Sequence, residues 1–219
     1  MPALGCILMG YLIGGINPAY IVGRLKGFDI RKRGSGNAGA SNAVIVMGKK
    51  IGFISAFFDI FKAFLVSKLS SILFSGVAYA TVLSGVACIV GHIFPAFMKF
   101  RGGKGLACLG GMILAYDWKL FLMLLCGELI LVLLVDYICV VPMTASVIFP
   151  VVYALQTKDM VGTFVLLACA ILILYKHIEN LHRIRNGTEA HFSFLWKRNH
   201  EIERLSSTNE EKDEQTDSE

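Results

Sequence analysis

Residues 3–23 read ALGCILMGYLIGGINPAYIVG, and no side chain in the stretch carries a charge. About 20 apolar residues are enough to span the hydrocarbon core of a bilayer. The run has no basic leading region, and its apolar character continues to Val22 without an obvious cleavage signal. It therefore predicts a first membrane helix rather than a removed leader. Six further apolar segments lie at roughly 51–74, 76–98, 105–117, 118–136, 141–155 and 160–178. The fourth and sixth of the seven are short, which is tolerated at membrane depth when longer helices surround them. Composition agrees. Hydrophobic residues make up 55% of the 219, and charged residues only 17%, against about 25% in a soluble domain. The expected fold is an all-α, polytopic membrane protein with about seven transmembrane helices.

The charges fall between the apolar runs. Arg24, Lys26, Arg31, Lys32, Arg33, Lys49 and Lys50 follow the first, and Lys99, Arg101 and Lys104 follow the third. Lys176, Arg183, Arg185, Lys197 and Arg198 lie at or beyond the end of the seventh. The alternate connections hold little beyond Lys119 beside Asp117 and Lys158 beside Asp159. The positive-inside rule then places the N-terminus outside and the C-terminus in the cytoplasm, which requires an odd number of spans. A net charge of +5 distributed in this way speaks for topology and for anionic lipids or phosphorylated substrates, not nucleic acid. Residues 1–198 form the expected membrane domain. Residues 199–219, ending EEKDEQTDSE, cannot bury apolar area and are expected to be a disordered cytoplasmic tail. Phe192, Phe194, Leu195 and Trp196 before it suit either an interfacial anchor or packing under the bundle.

Cys6, Cys88, Cys108, Cys126, Cys139 and Cys169 lie in or beside apolar runs, and none forms a CxxC pair. They read as small hydrophobes, not as a disulfide framework or zinc site. No metal and no cofactor is expected.

Three polar segments carry the chemistry. The first, Gly34-Ser35-Gly36-Asn37-Ala38-Gly39-Ala40-Ser41-Asn42, offers dense backbone amides to an anion, with hydroxyl and amide side chains between them. It contains GxGxxG, but a dinucleotide site needs a strand and a βαβ unit around that pattern. A flexible loop is the alternative. In the second, Gly91-His92-Ile93-Phe94-Pro95 leads to Phe100-Arg101-Gly102-Gly103-Lys104-Gly105. A cation and glycines before an apolar helix suit an anion site at the helix N-terminus. Alternatively, Arg101 and Lys104 only fix topology. The third runs from His177 through Asn180, His182 and Arg183 to Asn186-Gly187-Thr188-Glu189. His177 and Asn180 share a helical face. The spacing to His182 is poor for a shared metal. Within the second apolar run, Asp59 and Lys62 are placed for an i,i+3 ion pair. Either the pair shapes the bundle or Lys62 reaches the substrate.

GSGNAGASN, GHIFPAFMKFRGGKG and HIENLHRIRNGTE, in this order and spacing, resemble the acyl-phosphate-dependent glycerol-3-phosphate acyltransferases of bacterial membranes. The DIFKA run at Asp59 is similar to a family element as well. The resemblance covers about residues 8–193. It implies transfer of a fatty acyl group from acyl phosphate to glycerol 3-phosphate, giving lysophosphatidic acid. It also implies an active site on the cytoplasmic face of the inner membrane, without metal, coenzyme A or acyl-carrier protein. On it, Lys104, His177, Asn180 and Ser35 are the catalytic candidates. Gly36, Asn37, Gly39, Asn42, Arg101, Gly102 and Gly103 would bind phosphate, and Asp59, Lys62, His92, Arg183 and Glu189 would support them. A monomer in the bilayer is expected. The sequence departs from the family's pattern at Ile45, where an arginine is usual, and at Ser41, Ala63, Cys108, Cys139 and Pro142. A divergent paralogue with another acceptor or a regulatory role, and less readily a transporter, are the alternatives. Transport calls for ionisable groups at the midplane, and only Asp59 and Lys62 qualify.

Overall fold

The computed structural model describes residues 2–197, which form nine α-helices and three short 3-10 turns, with no strand among them. The tail at 199–219 lies outside the described residues. The first apolar run is two helices, α1 (Pro2–Gly15) and α2 (Pro18–Leu25), not one. Pro18 has no amide hydrogen and keeps the residue before it out of helical geometry. Asn17 is accordingly extended at φ −116°. Its Oδ1 accepts from the Tyr20 amide at 2.8 Å to cap α2, and its Nδ2 donates to the Ala38 carbonyl at 2.8 Å.

Helix α3 (Ala40–Met47) begins inside the first polar segment, where sequence alone reads only loop. The other helices are α4 (Lys49–Leu73), α5 (Ala80–Ile93), α6 (Leu106–Tyr116), α7 (Trp118–Val135), α8 (Val140–Thr157) and α9 (Met160–Arg185). Five stretches are long and apolar enough to cross a membrane: 2–25, 80–98, 118–135, 140–157 and 160–185. The other two anticipated spans are α4 and α6. Helix α4 has 25 residues but carries Asp59, Lys62 and Lys68 along its length. Helix α6 has 11 residues and at 1.5 Å per residue covers about half the hydrocarbon thickness.

Close backbone approach organises the bundle. A Cβ on Gly10 would lie 2.3 Å from the Ser84 carbonyl, one on Gly14 2.1 Å from that of Cys88, and one on Gly91 2.2 Å from that of Tyr11. Glycine on both partners thus lets α1 and α5 touch backbone to backbone, the usual route to tight helix packing in lipid. Met112, Phe149, Leu166 and Ile173 fill the interior, while Leu12, Phe57, Met123, Leu134 and Ile171 face outward. Such an apolar exterior suits lipid and would be a liability in water.

Candidate active site

The three polar segments meet at one end of the bundle. The first is locked from within by Asn42, which is 1% exposed. Its Nδ2 lies within donating distance of the carbonyls of Ile30 (3.2 Å), Arg33 (3.0 Å) and Asn37 (2.8 Å). Its Oδ1 accepts from the Ser35 amide at 2.9 Å. Arg31 fastens this loop to the second segment by donating from one terminal nitrogen to the carbonyls of Met98 (2.6 Å) and Arg101 (3.1 Å). Asp29 orients that guanidinium at 2.7 Å. The hydrogen bond from Arg31 holds the Asp29 carboxyl down at about 2.

In the second segment the glycines serve packing. The Gly102 amide donates to the Ile93 carbonyl and the Gly103 amide to that of His92, both at 3.0 Å. A Cβ on Gly103 would strike the His92 ring at 2.0 Å. Lys104 follows directly in the chain. Its ammonium donates to Asn180 Oδ1 and lies 3.7 Å from Glu179. Burial, and then the charge of Arg183, push Lys104 below its ordinary 10.5.

On α9, His177, Asn180 and Arg183 rise along one face. The His177 Nδ1 lies 2.7 Å from the Ile173 carbonyl. A carbonyl only accepts, so Nδ1 carries the proton and a neutral ring keeps its lone pair on Nε2. Glu189 accepts from Asn180 Nδ2 and from Arg183 Nε, each at 2.6 Å.

A cavity of about 680 Å³ opens between these pieces. Ser35, Asn37, Gly39, Lys104, His177, Asn180, Arg183, Glu189, Asp59 and His92 all line it. Two helix N-termini also face it, through Gly39, Ala40 and Ser41 of α3 and Gly105, Leu106 and Ala107 of α6. Neither helix has a side-chain cap. First-turn amides have no acceptor within their own helix, so both ends present N–H groups and positive dipole to an anion.

Some anticipated phosphate ligands stand elsewhere. Gly36, Asn42, Arg101, Gly102 and Gly103 are not part of the cavity wall. The amides of Gly36, Gly102 and Gly103 are spent on the carbonyls of Arg33, Ile93 and His92, and the Asn42 side chain on the loop itself. These residues hold the site's backbone in place; the amides turned to the cavity belong to α3 and α6. Lys62 also stands outside. It pairs with Asp59 at 2.6 Å and donates to the carbonyls of Gly14 (2.8 Å) and Ile16 (2.5 Å). The Gly14 carbonyl would bond the amide that Pro18 lacks, so Lys62 supplies the donor missing at the break between α1 and α2. Asp59, His92 and Cys108 cluster closely enough to hold a metal. However, the Lys62 ammonium, 3.2 Å from His92 Nδ1, already stands there as the cation.

Ile138, Cys139, Pro142, Phe53 and the segment 188–195 also line the cavity. Thr188 and Glu189 close the third polar segment, and no polar motif marks the rest; for Phe192, Phe194 and Leu195 the aromatic cluster at 192–196 is the signal in the sequence. Trp196 is exposed, and its ring meets Phe192 edge-on at 5.5 Å.

A cavity faced by two uncapped helix N-termini at the polar end of an apolar bundle fits the class of membrane-embedded enzymes that act on phosphorylated molecules. Comparison with known proteins narrows that class. Residues 4–187 match the glycerol-3-phosphate acyltransferase family. The glycerol-3-phosphate acyltransferase of Lactiplantibacillus plantarum is 36% identical over 195 residues, covering 88% of this chain and 94% of the relative. That of Bacillus subtilis is 37% identical over 190 residues, covering 86% and 97%. The fold is similar to the crystal structure of PlsY (YgiH), an integral membrane glycerol 3-phosphate acyltransferase, in its glycerol 3-phosphate form. The TM-score is 0.81 at 30% identity, over 88% of this chain and 96% of that one. A lysophosphatidic acid form of the same protein gives a TM-score of 0.76. The chain belongs to the glycerol-3-phosphate acyltransferase family, and it is an integral membrane acyltransferase of phospholipid synthesis.

Proposed function

We propose that the chain transfers a fatty acyl group from acyl phosphate to glycerol 3-phosphate, releasing lysophosphatidic acid and inorganic phosphate. The observation that carries this is the pair of uncapped helix N-termini facing one cavity, with Lys104 beside one of them and His177 across it. Two substrates with phosphate groups need two anion cradles, and phosphate is a good enough leaving group to need no acyl-enzyme. The protein's part is then orientation and charge stabilisation. Lys104 and the α6 amides take the donor phosphate and the charge growing on its carbonyl oxygen. Ser35, Asn37 and the α3 amides hold the phosphate of glycerol 3-phosphate. His177 Nε2 accepts the attacking hydroxyl's proton, and Asn180 orients Lys104 through its oxygen.

The arrangement in the membrane follows the charges. With α4 and α6 counted beside the five apolar stretches there are seven spans. The N-terminus is then outside, and the cavity and C-terminus are on the cytoplasmic side of a bacterial inner membrane. We read residues 1–198 as one membrane domain and the chain as a monomer.

The test is purified protein in lipid with palmitoyl phosphate and glycerol 3-phosphate, assayed for lysophosphatidic acid. Product is expected with palmitoyl phosphate and not with palmitoyl coenzyme A. Product from the coenzyme A ester alone would overturn the donor assignment.

A further inference from the structure

One wall of the cavity is built from chain that follows the last long helix. Residues 188–195 leave α9 and lay Phe192, Phe194 and Leu195 along the cavity. The segment is fastened near both ends. Near its start, Glu189 accepts from Asn180 and Arg183. At its far end it is tied to Asp136, the residue that closes α7. The Asp136 carbonyl accepts from the Phe192 amide at 2.6 Å. Its Oδ1 accepts from the Ser193 amide at 2.7 Å and its Oδ2 from the Ser193 hydroxyl at 2.8 Å. Asp136 has left-handed backbone, φ 61°, which ends the helix and turns the next residues toward the wall. There the Tyr137 ring stacks on His191, with centroids 4.9 Å apart. Asp136 itself does not line the cavity. Both hydrogen bonds of its carboxylate go to Ser193, so its side chain serves the wall and not the bundle.

An acyl phosphate is an activated anhydride, and any water that reaches its carbonyl competes with the intended acceptor. A closed site excludes that side reaction. We propose that Asp136 is a specificity-determining residue: by fastening the 188–195 wall it keeps solvent from the donor carbonyl, so that glycerol 3-phosphate and not water takes the acyl group. The inference rests on the acyl-phosphate reading. In transfer, the glycerol hydroxyl oxygen bonds to the acyl carbon. The bond from that carbon to the phosphate oxygen breaks, phosphate leaves with the electron pair, and the hydroxyl proton passes to His177. In the competing hydrolysis, water bonds to the same carbon. Fatty acid and inorganic phosphate result, and the proton is lost to solvent.

The experiment measures lysophosphatidic acid and free palmitate together, from palmitoyl phosphate and glycerol 3-phosphate, with the full-length protein in lipid. Asp136→Gly removes the carboxylate while leaving a residue that accepts positive φ without strain. Asp136→Asn keeps the left-handed backbone and an oxygen for the Ser193 amide. In Asp136→Gly, palmitate released per lysophosphatidic acid is expected to rise about tenfold or more, the scale of a lost hydrogen bond to a charged group. Ser193→Ala should move it the same way by less, and Asp136→Asn should stay near wild type. An unchanged ratio in Asp136→Gly overturns the proposal, whether total turnover holds or falls, since a merely structural loss lowers both products together. A wild-type protein making no lysophosphatidic acid from palmitoyl phosphate would instead overturn the donor assignment, and this inference with it.

Discussion

On the proposed mechanism, Lys104 is the residue on which the chemistry turns. It stands at the mouth of α6, lies in the cavity wall and is held by Asn180. Lys104→Met keeps the apolar stem and deletes the charge. It is expected to lower kcat about 100- to 1,000-fold, the usual cost of losing one preorganised stabilising group. Burial and Arg183 depress its proton affinity, so the cation is lost as pH rises through a value below 10.5. The alkaline fall of the wild-type rate should therefore begin below that point. Between the depressed folded value and 10.5 the unfolded chain holds the proton more tightly, so stability rises with pH there. The wild-type minus Lys104→Met difference in thermal unfolding isolates that slope. Ile45 is the second residue at this scale. It lines the cavity at the position where the resemblance implies an arginine, and two cations lining the same cavity are already engaged. Arg183 is bonded to Glu189 and Glu179, and Lys104 to Asn180. Ile45→Arg is expected to lower KM for glycerol 3-phosphate about tenfold, equivalent to about 1.4 kcal/mol of added phosphate binding. An unchanged KM would show that the cavity is complete without it.

At the scale of elements, glycine decides which helices touch. Gly14 meets the Cys88 carbonyl with no room for a methyl group, and its own carbonyl is the one that Lys62 caps. Gly14→Val forces α1 off α5 and moves the break that Lys62 and Asn17 hold. Overpacking alone costs about 1–3 kcal/mol. The expected result is a clearly lower unfolding midpoint in detergent, with lysophosphatidic acid synthesis lost in parallel. Gly76, where a Cβ meets nothing within 4 Å, provides the control: Gly76→Ala should leave the midpoint unchanged. In the sequence Asn17 falls inside one continuous apolar run. The structure gives it a different task, as the joint between α1, α2 and the first polar loop.

For the whole molecule, the orientation assignment predicts two reporters of opposite sign. A fluorescent protein fused after Glu219 should fold and fluoresce in the cytoplasm. Alkaline phosphatase inserted at Lys158–Asp159 should be active on the far side. The reverse pattern would put the cavity outside and away from a cytosolic supply of glycerol 3-phosphate.

Bilayer residence, the helical class and the three segments that meet at the cavity were legible in the sequence. Hydrocarbon length, charge placement and glycine density are local properties, and each writes itself into consecutive residues. The family resemblance rests on the same local strings. The division of labour within them was not legible. Gly102 and Gly103 read as phosphate amides, but their N–H groups are spent on Ile93 and His92. The amides that face the cavity belong to helix ends, one of them on α3, whose existence sequence alone did not suggest. Nor could spacing show that Asp136 and Ser193, 57 positions apart, are bonded, or that Lys62 replaces a donor Pro18 cannot supply. The sequence by itself determined which residue types are present and that the chain lives in a membrane. Only the tertiary structure decided which donors remain for a ligand after the backbone has been satisfied. That is a sum over contacts between distant segments, and no local stretch contains it.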